Sequence, residues 1–436
     1  MKDRKLTILG AGSVYTPEIF AEIAARKDRL RFREIALVDI DEGRKEAELC
    51  ASLAARMLKA HGLNARLTLT TDRREALSGS DFVVSQIRVG RMAARAEDEK
   101  LGMSLGLIGQ ETTGVGGFVN ALRTIPTALS IARDMEEICP DAWLVNFTNP
   151  AGVVTEAVLK HSRVRCVGLC NVPINMVNDI AKVLGVPRDR VRCRFMGLNH
   201  LSFVTAAELD GLNVLPEVVE GISGNETLMK NIPKAEGVGA LTKLLGIIPS
   251  PYLQYYWFED QMRAKQADEW EKSGVSRAAQ VGEINRGLFS KYADESVAEP
   301  PAELSGRGGS LYSFAALNVV EALSGEQPAE LVVNARNRGA IEELRDDDVV
   351  EINCLVGPDG VRPLPAGRLP EKVSGLVQAV KQYERLTVRA AVEEDRELAI
   401  SALLNHPLAH GFRNAEKAVD RAIGLFPQYI RLGGRR

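Results

Sequence analysis

The chain lacks any apolar stretch long enough to cross a membrane, and it lacks runs of five or more basic residues. Its formal net charge is −3, which argues against a broad nucleic-acid surface. The N-terminal segment Met1–Lys5 is charged, and the residues after it are too few and too strand-like to form the apolar core of a signal peptide. We therefore expect a cytoplasmic protein that binds neither nucleic acid nor membranes.

Closely spaced cysteine pairs are also missing. The chain has 436 residues and six cysteines at scattered positions, and no two of them form a CxxC motif. In a chain of this length, such spacing is typical of reduced thiols rather than of a disulfide framework.

The first third of the chain alternates short apolar segments with longer amphipathic ones. This pattern is typical of βαβ units around a parallel sheet. Six segments predict strands: Lys5–Gly10, Glu34–Asp39, Arg66–Thr70, Phe82–Gln86, Ala142–Phe147 and Val164–Leu169. Three segments with helical periodicity predict the helices between them: Pro17–Ala25, Gly43–Ala60 and Leu122–Cys139.

From about residue 170 onward the pattern changes to more alternating strands and longer helices. The clearest of these elements are Val204–Glu208 and Val349–Val356 as strands, and Pro370–Glu393 and Arg396–Leu404 as helices. We predict an α/β protein whose residues 1–169 form a Rossmann-type, doubly wound parallel sheet. Residues 170–436 would form an α+β lobe that packs on it, as in lactate and malate dehydrogenases.

A glycine motif follows the first predicted strand. Gly10 and Gly12 would let the backbone turn tightly and approach a pyrophosphate, and the helix after Ser13 would present its N–H groups. Tyr15 occupies the position where the usual fingerprint has a third glycine. Asp39, 27 residues after Gly12, stands where a carboxylate would bind both ribose hydroxyls of NAD. The alternative is a tight strand–helix turn without a ligand.

Two further residues could share a divalent metal ion. Cys170 follows a predicted buried strand, so it would face the crevice at the carboxyl edge of the sheet. His200 lies within an apolar, strand-like segment. A thiolate and an imidazole would leave coordination positions open for substrate oxygens. The alternatives are a buried hydrophobic cysteine and a histidine that only forms a hydrogen bond.

Aromatic residues make up only 5% of the chain, yet the segment Tyr252–Trp257 contains four of them. Tyr252 could take part in the chemistry if a nearby cation lowered its pKa from about 10. For the residues 255–257 we favour packing in a small apolar cluster.

Three polar clusters are rich in glycine or end in proline: Ile108–Gly117, Asn146–Pro150 and Gly306–Ser310. Such segments are either surface loops or the backbone lining of a site. Arg88 ends a predicted strand, a place suited to binding a phosphate.

These motifs together resemble glycoside hydrolase family 4. They appear in family order as GAGS, IGQETTGVGGF, NFTNPAG, LCNVPIN, GLNHLSF, PYLQYY and GRGGSLYS, and a similar stretch continues to about residue 409. The resemblance covers nearly the whole chain. It implies a glycosidase with a dehydrogenase-like Rossmann domain that uses NAD and a divalent metal ion, typically manganese, and that forms a homo-oligomer.

The resemblance also assigns roles. It implies Cys170 and His200 as metal ligands, Tyr252 as the base that removes the C2 proton, and Glu111 as the carboxylate that makes Tyr252 more basic. Contacts with the substrate would come from Arg88, Asn149, Asn171 and Arg277. NAD would first take a hydride from C3, which acidifies the C2 proton, and elimination at C1, addition of water and return of the hydride would follow. This route does without the carboxylate pair of most glycosidases.

Asn171 indicates which anomer of the substrate we expect the protein to cleave. Similar enzymes that act on 6-phospho-α-glucosides have an aspartate after the cysteine, and an asparagine has no acidic proton to donate. We therefore expect hydrolysis of a phosphorylated disaccharide or aryl β-glucoside. The alternatives are another specificity in the same family, a hydroxyacid dehydrogenase of the lactate or malate type, and an NAD-binding redox sensor without turnover.

Overall fold

The computed structural model describes residues 3–224, 232, 234–273, 277–306, 311–325 and 327–433. Within these residues, nine strands form one sheet in the order β13-β12-β11-β6-β5-β4-β1-β2-β3. The strands are β1 Arg4–Leu9, β2 Phe32–Val38, β3 Arg66–Thr70, β4 Phe82–Ser85, β5 Trp143–Asn146, β6 Arg165–Gly168, β11 Ala329–Arg336, β12 Val349–Gly357 and β13 Gly360–Pro363.

The first six strands are parallel, in the order 3-2-1-4-5-6 of a doubly wound dinucleotide-binding sheet. Their side chains alternate between two buried faces: Ile35 and Leu37 point to one apolar core, and Ala36 and Val38 to another. Because both faces are covered at the centre of the sheet, β4 and β5 are mostly apolar and buried, whereas the edge strand β3 is partly exposed and alternates with polar residues.

Helices cover both faces of this sheet. Those of the first half are α1 Thr16–Ala25, α2 Arg44–Ala60, α3 Arg73–Leu77, α4 Arg91–Ser104, α5 Gly114–Ile138, α6 Ala151–His161 and α7 Val172–Leu184. Those of the second half are α8 Leu215–Gly224, α9 Val238–Leu245, α10 Gln254–Trp257, α11 Glu259–Ser273, α12 Arg277–Tyr292, α13 Tyr312–Ser324, α14 Glu371–Glu393, α15 Arg396–Leu404 and α16 Phe412–Leu425. No helix in the described part of the chain is long and apolar enough to cross a membrane.

A second, antiparallel sheet lies beside the first. It contains β7 Val191–Leu198, β8 Leu201–Leu209, β9 Leu212–Asn213 and β10 Ile248–Pro249. Buried residues of these strands, of α7 and of the segment around Tyr252 form a separate apolar core. This core supports the end of the molecule where the polar motifs meet.

The predicted α/β class and Rossmann sheet are confirmed, with differences at the element ends. The six predicted strands all form, although five have shifted bounds. The predicted helix Leu122–Cys139 begins eight residues earlier, at Gly114, because the glycines of the polar cluster continue into its first turn. Arg88 lies three residues beyond the end of β4 rather than at its end.

The second half does more than pack as a lobe. Its strand β11 pairs antiparallel with β6, and β12 and β13 continue the same sheet. The boundary predicted between residues 169 and 170 follows the last parallel strand, and the division into two domains there stays a prediction.

Candidate active site

The glycine loop connects β1 to α1. Gly10 has a φ of +84°, and a Cβ on it would lie 3.0 Å from the Gln86 carbonyl carbon. The side chain of Gln86 in turn donates to the Gly10 carbonyl oxygen at 3.2 Å and to Thr16 Oγ1 at 2.7 Å. The loop therefore fits closely against the end of β4. The free N–H groups predicted at the start of α1 are not found, because Thr16 N–H donates to the Ser13 carbonyl at 3.0 Å, Glu18 N–H donates to the Tyr15 carbonyl at 3.1 Å, and Pro17 has no N–H.

Asp39 follows β2 and faces this loop. Its Oδ2 accepts a hydrogen bond from the Gly12 N–H at 2.6 Å, and Ile40 N–H donates to Oδ1 at 2.8 Å. A Cβ on Gly43 would lie 2.3 Å from Oδ1, so the carboxylate fits between two glycines. Burial raises the pKa of Asp39, and the two backbone donors oppose this shift. The carboxylate thus holds the glycine loop in place.

One cavity of about 1760 Å³ extends from the glycine loop to Tyr252. Every site residue predicted from the sequence lines it except Cys170 and His200. The lining residues among them are Gly10, Gly12, Ser13, Asp39, Arg88, Glu111, Asn149, Asn171, Tyr252 and Arg277. The nucleotide motif and the polar motifs, far apart in sequence, therefore open into the same space.

Two arginines hold Glu111 at the wall of the cavity. Arg88 is paired with one oxygen of Glu111, and Nη1 of Arg95 lies 2.9 Å from the other. Arg95 also contacts Glu99 at 2.8 Å. Burial opposes the charge of Arg95, but the carboxylates of Glu111 and Glu99 outweigh it, so the pKa of Arg95 is raised. Arg95 was not predicted as a site residue, because the sequence of its helix has the pattern of an ordinary charged amphipathic helix.

Arg277 stands apart from this pair. It is exposed at the start of α12, and its Nη1 donates to Gln280 Oε1 at 3.1 Å. It still lines the cavity and lies near Tyr255.

Tyr252 lies in a short 3₁₀ turn, Pro251–Leu253. Its ring stacks on the imidazole of His200, with 3.8 Å between centroids and an angle of 3°. Burial raises the pKa of Tyr252 well above its usual range, and negative charge at Cys170 and Glu111 raises it further. Ionisation of this phenol therefore needs a cation close by.

Cys170 and His200 both lie in the wall behind the cavity, next to Tyr252. Val172 N–H donates to the sulfur of Cys170 at 3.5 Å, and Asn199 and Tyr312 also hydrogen-bond to it. Burial raises the pKa of Cys170 to about 12 and lowers that of His200 to about 3, so the imidazole is neutral.

The donor set suits a divalent metal ion of intermediate softness. A neutral imidazole offers a lone pair, and hydrogen-bond donors around the sulfur favour its thiolate form. Across the residues that the structure describes, no group of three or more His, Cys, Asp or Glu could hold a metal. Cys170 and His200 would therefore need oxygens of substrate or water to complete the coordination.

Two asparagines border the same space. Oδ1 of Asn149 is buried and has no hydrogen-bond partner among the described residues. Asn171 is 2% exposed and precedes α7. Tyr312, which hydrogen-bonds with both Asn149 and Cys170, was not predicted as a site residue, although it lies within the quoted motif GRGGSLYS. A buried oxygen without a partner at a cavity wall indicates a ligand that donates to it.

Two further clusters from the sequence are the glycine-rich segment Gly306–Ser310 and the aromatic residues 255–257. Residues 307–310 of the cluster Gly306–Ser310 lie outside the described residues. Tyr256 packs as expected: its hydroxyl bonds with Thr113 Oγ1 at 2.9 Å, and its ring stacks on His406. Tyr255 is buried in the second core but also lines the cavity.

Fold and site together define a dehydrogenase-like protein whose nucleotide loop opens into a polar reaction cleft. Residues 5–186 match the sequence model of the family 4 glycosyl hydrolases, and residues 195–409 match that of the C-terminal domain of the same family. The chain belongs to family 4 of the glycosyl hydrolases.

The chain is similar to several bacterial proteins over nearly its whole length. It is 42% identical to a probable 6-phospho-beta-glucosidase of Bacillus subtilis, over 98% of both chains. It is 38% identical to the 6-phospho-beta-glucosidase of Escherichia coli, over 94% of this chain and 93% of the relative.

Solved structures give the same result. The 6-phospho-beta glucosidase of Thermotoga maritima with manganese, NAD+ and glucose-6-phosphate superposes with a TM-score of 0.90 at 33% identity, covering 99% of this chain and 100% of the other. Malate dehydrogenase of Cryptosporidium parvum superposes with a TM-score of 0.50 at 14% identity, over 90% of this chain and 100% of the other. The second match concerns the fold alone, and it confirms the predicted likeness to malate dehydrogenase.

Proposed function

We propose that the protein hydrolyses 6-phospho-β-glucosides with the help of NAD and a divalent metal ion, with manganese as the first choice. The observation that carries this proposal is that one continuous cavity joins the glycine loop to Tyr252 and Glu111. Support comes from the relatives named as 6-phospho-beta-glucosidases and from the related structure with manganese, NAD+ and glucose-6-phosphate.

The glycine loop and Asp39 would hold the dinucleotide, and Cys170 and His200 would hold the metal ion. When bound, NAD accepts a hydride from the sugar and returns it, while the metal ion supplies positive charge beside the sugar oxygens. The positive end of the α1 dipole would lie toward the pyrophosphate. Because the loop and Tyr252 share one cavity, a dinucleotide on the loop and a sugar beside Tyr252 can meet in the same space.

Tyr252 would remove the proton from C2 of the oxidised sugar. The phenol is buried, so its ionisation depends on positive charge nearby, and Arg95 lies close enough to interact with it. Glu111 is held by Arg88 and Arg95 beside the phenol, where it would receive or relay a proton.

The substrate's phosphate would be bound by Arg88 and Arg277, the two predicted arginines at the cavity. Bidentate arginine contacts suit a phosphate dianion. Asn149, with its unpartnered oxygen, would accept from a sugar hydroxyl, and Asn171 would line the side of the leaving group. Asn171 has no acidic proton, which favours the β-anomer over the α-anomer.

We also propose a cytoplasmic homo-oligomer. The last two long helices expose Leu404, Phe412 and Leu425 at 50%, 56% and 40%, which would suit contact with a second copy. Light scattering coupled to gel filtration would give the mass in solution, and a mass equal to one chain would contradict this proposal.

A panel of nitrophenyl glycosides in heavy water tests the proposed reaction. With NAD and Mn²⁺, the 6-phospho-β-glucoside should be cleaved far faster than the 6-phospho-α-glucoside or the unphosphorylated glucoside. The released sugar should carry deuterium at C2, because Tyr252 exchanges the abstracted proton with solvent, and no NADH should accumulate. Product without deuterium at C2 would show direct displacement at C1 and refute the mechanism.

A further inference from the structure

A buried carboxylate on β12 holds the turn that carries His200. Glu351 is 1% exposed, and its oxygens accept three side-chain hydrogen bonds. The donors are Asn199 Nδ2 at 2.9 Å, Ser202 Oγ at 2.8 Å and Asn334 Nδ2 at 3.3 Å. A buried carboxylate with several donors is strongly fixed, since leaving any of these groups unpaired is costly.

Two of these donors lie on either side of His200. Asn199 precedes it directly, and Ser202 lies two residues after it, on β8. His200 itself has a φ of +63°, an unfavourable backbone conformation for a residue with a side chain. By holding both sides of the turn, Glu351 keeps the histidine in that conformation.

Asn199 also reaches Cys170. Its side chain hydrogen-bonds to the sulfur as well as to Glu351. An amide has two N–H groups, so one can point to the carboxylate while the other points to the sulfur. The orientation of this amide is therefore set by Glu351, from a position 152 residues further along the chain than Asn199.

Two glycines leave the space that this arrangement needs. A Cβ on Gly152 would lie 3.0 Å from the Cβ of Asn199. A Cβ on Gly168 would lie 2.9 Å from the Cβ of Asn334 and 2.3 Å from Thr155 Oγ1. Gly152 lies in the first turn of α6 and Gly168 at the end of β6, so a helix and a strand of the Rossmann unit both leave space for the hydrogen bonds of Glu351.

We propose that Glu351 is a positioning residue for the metal centre, which sets His200 through the turn and Cys170 through Asn199. This inference rests on the proposed function, because it assumes that Cys170 and His200 bind a metal ion. Groups that orient metal ligands by hydrogen bonds contribute about 10- to 100-fold to metal affinity. Glu351 does this without touching the substrate cavity, since it is absent from the cavity wall.

The substitution Glu351→Gln distinguishes positioning from simple packing. Glutamine has nearly the same volume, but its NH₂ group would face one of the donors. Asn199 would have to lose its bond or turn over, which would point its oxygen toward the sulfur. Metal affinity should then fall even though the protein remains folded.

Asn353→Ala is the matched control. Asn353 lies two residues further along β12 and binds β7 by accepting from Phe195 N–H at 2.7 Å and donating to the Cys193 carbonyl at 2.9 Å. It contacts β7, the strand that leads into the turn with His200, but it makes no hydrogen bond with the turn itself. Its loss should lower stability without weakening the metal site.

The experiment measures Mn²⁺ binding by the paramagnetic resonance of the free ion, and the absorption of the Co²⁺-loaded protein, with NAD affinity as a check of folding. Glu351→Gln should bind Mn²⁺ about 10- to 100-fold more weakly and should alter the thiolate-to-cobalt absorption band. Gly152→Ala, which leaves Glu351 in place but pushes on Asn199, should cause a smaller change of the same kind.

The outcomes separate the two levels of the argument. If the unsubstituted protein binds no Mn²⁺, the proposed metal chemistry and this inference both fail. If it binds Mn²⁺ and Glu351→Gln binds it equally well with the same cobalt spectrum, only the inference fails. Equal losses in Glu351→Gln and Asn353→Ala would also overturn it, since they would reflect general destabilisation. If Glu351→Gln does not fold, Gly152→Ala decides by the same measurements.

Discussion

The two ends of the cavity are built in different ways. At the nucleotide end, the loop Gly10–Ser13 and Asp39 come from adjacent strands of one sheet, and main-chain groups carry much of the contact. At the other end, side chains of Cys170, His200 and Tyr252 come from separate segments and meet through packing and hydrogen bonds. Added volume should therefore harm the first end, whereas loss of single functional atoms should harm the second.

The two proposed metal ligands should show the largest effect. In Cys170→Ser and His200→Ala, the turnover number should fall by at least ~10³, because loss of metal stabilisation of the transition state costs several kcal/mol. NAD affinity should be unchanged, since neither residue lines the cavity. Steady-state kinetics and dinucleotide titration of the same preparations measure both quantities. Near-normal turnover in either variant would remove that residue from the metal centre.

The reverse pattern is expected for Gly12→Ala. A Cβ there would lie 2.9 Å from Asp39 Oδ2 and 3.1 Å from the Gly43 carbonyl, so the loop must move. Overpacking of this kind costs about 1–3 kcal/mol, or roughly 5- to 150-fold in NAD affinity. At saturating NAD, the turnover number should largely recover.

Gly375→Ala is the control for this change. Gly375 is exposed in α14, and a Cβ there meets nothing within 4 Å. Alanine should leave NAD affinity unchanged and add roughly 0.5–1 kcal/mol to helix stability. If Gly12→Ala also binds NAD normally by calorimetry, then the loop does not approach the dinucleotide closely.

A smaller change is expected for Asp39→Asn. Asparagine can still accept from Gly12 N–H, but it loses the charge and one acceptor for the ribose hydroxyls. NAD affinity should fall by about tenfold, the lower end of the range for a hydrogen bond to a charged group. NADP should lose less, because the repulsion of its 2′-phosphate is also removed. Fluorescence titration with both dinucleotides measures the ratio, and an unchanged ratio would contradict this role for Asp39.

The same contrast explains what the sequence could predict. The glycine loop, its strand and Asp39 follow from local spacing, because each contact there joins neighbouring elements of one sheet. The predicted start of α5 was wrong, because the polar loop continues into the helix through Gly114, Gly116 and Gly117. A Cβ on Gly116 would lie 2.2 Å from the Gln110 carbonyl oxygen, so close folding of the loop, rather than flexibility, requires glycine there.

Contacts made only in three dimensions could not be read from local patterns. Three such contacts join segments that are separate in the sequence. Arg95 pairs with Glu111, Tyr312 hydrogen-bonds to Cys170, and Glu351 accepts a hydrogen bond from Asn199. The extension of the Rossmann sheet by β11–β13 was missed for the same reason: an alternating strand does not specify which edge it will join.

Tyr256→Phe should show the smallest effect and tests the limit of the comparison. Tyr256 and Tyr252 are four residues apart, and both are phenols at low exposure beside a histidine ring. The hydroxyl of Tyr256, however, is paired with Thr113 Oγ1 at 2.9 Å, and the residue does not line the cavity.

Removal of that hydroxyl breaks one buried hydrogen bond, which should lower the free energy of unfolding by about 1 kcal/mol. Turnover and NAD affinity should stay within about twofold of the unsubstituted protein, because Tyr256 does not line the cavity. Tyr252→Phe likewise keeps the aromatic ring but removes the base. Turnover should therefore collapse, while binding of the phosphorylated sugar survives. Urea unfolding and steady-state kinetics on the two variants measure this difference. If Tyr256→Phe loses turnover as severely as Tyr252→Phe, the position of Tyr252 at the cavity wall does not identify it as the base. Tyr256 would then also contribute to the reaction.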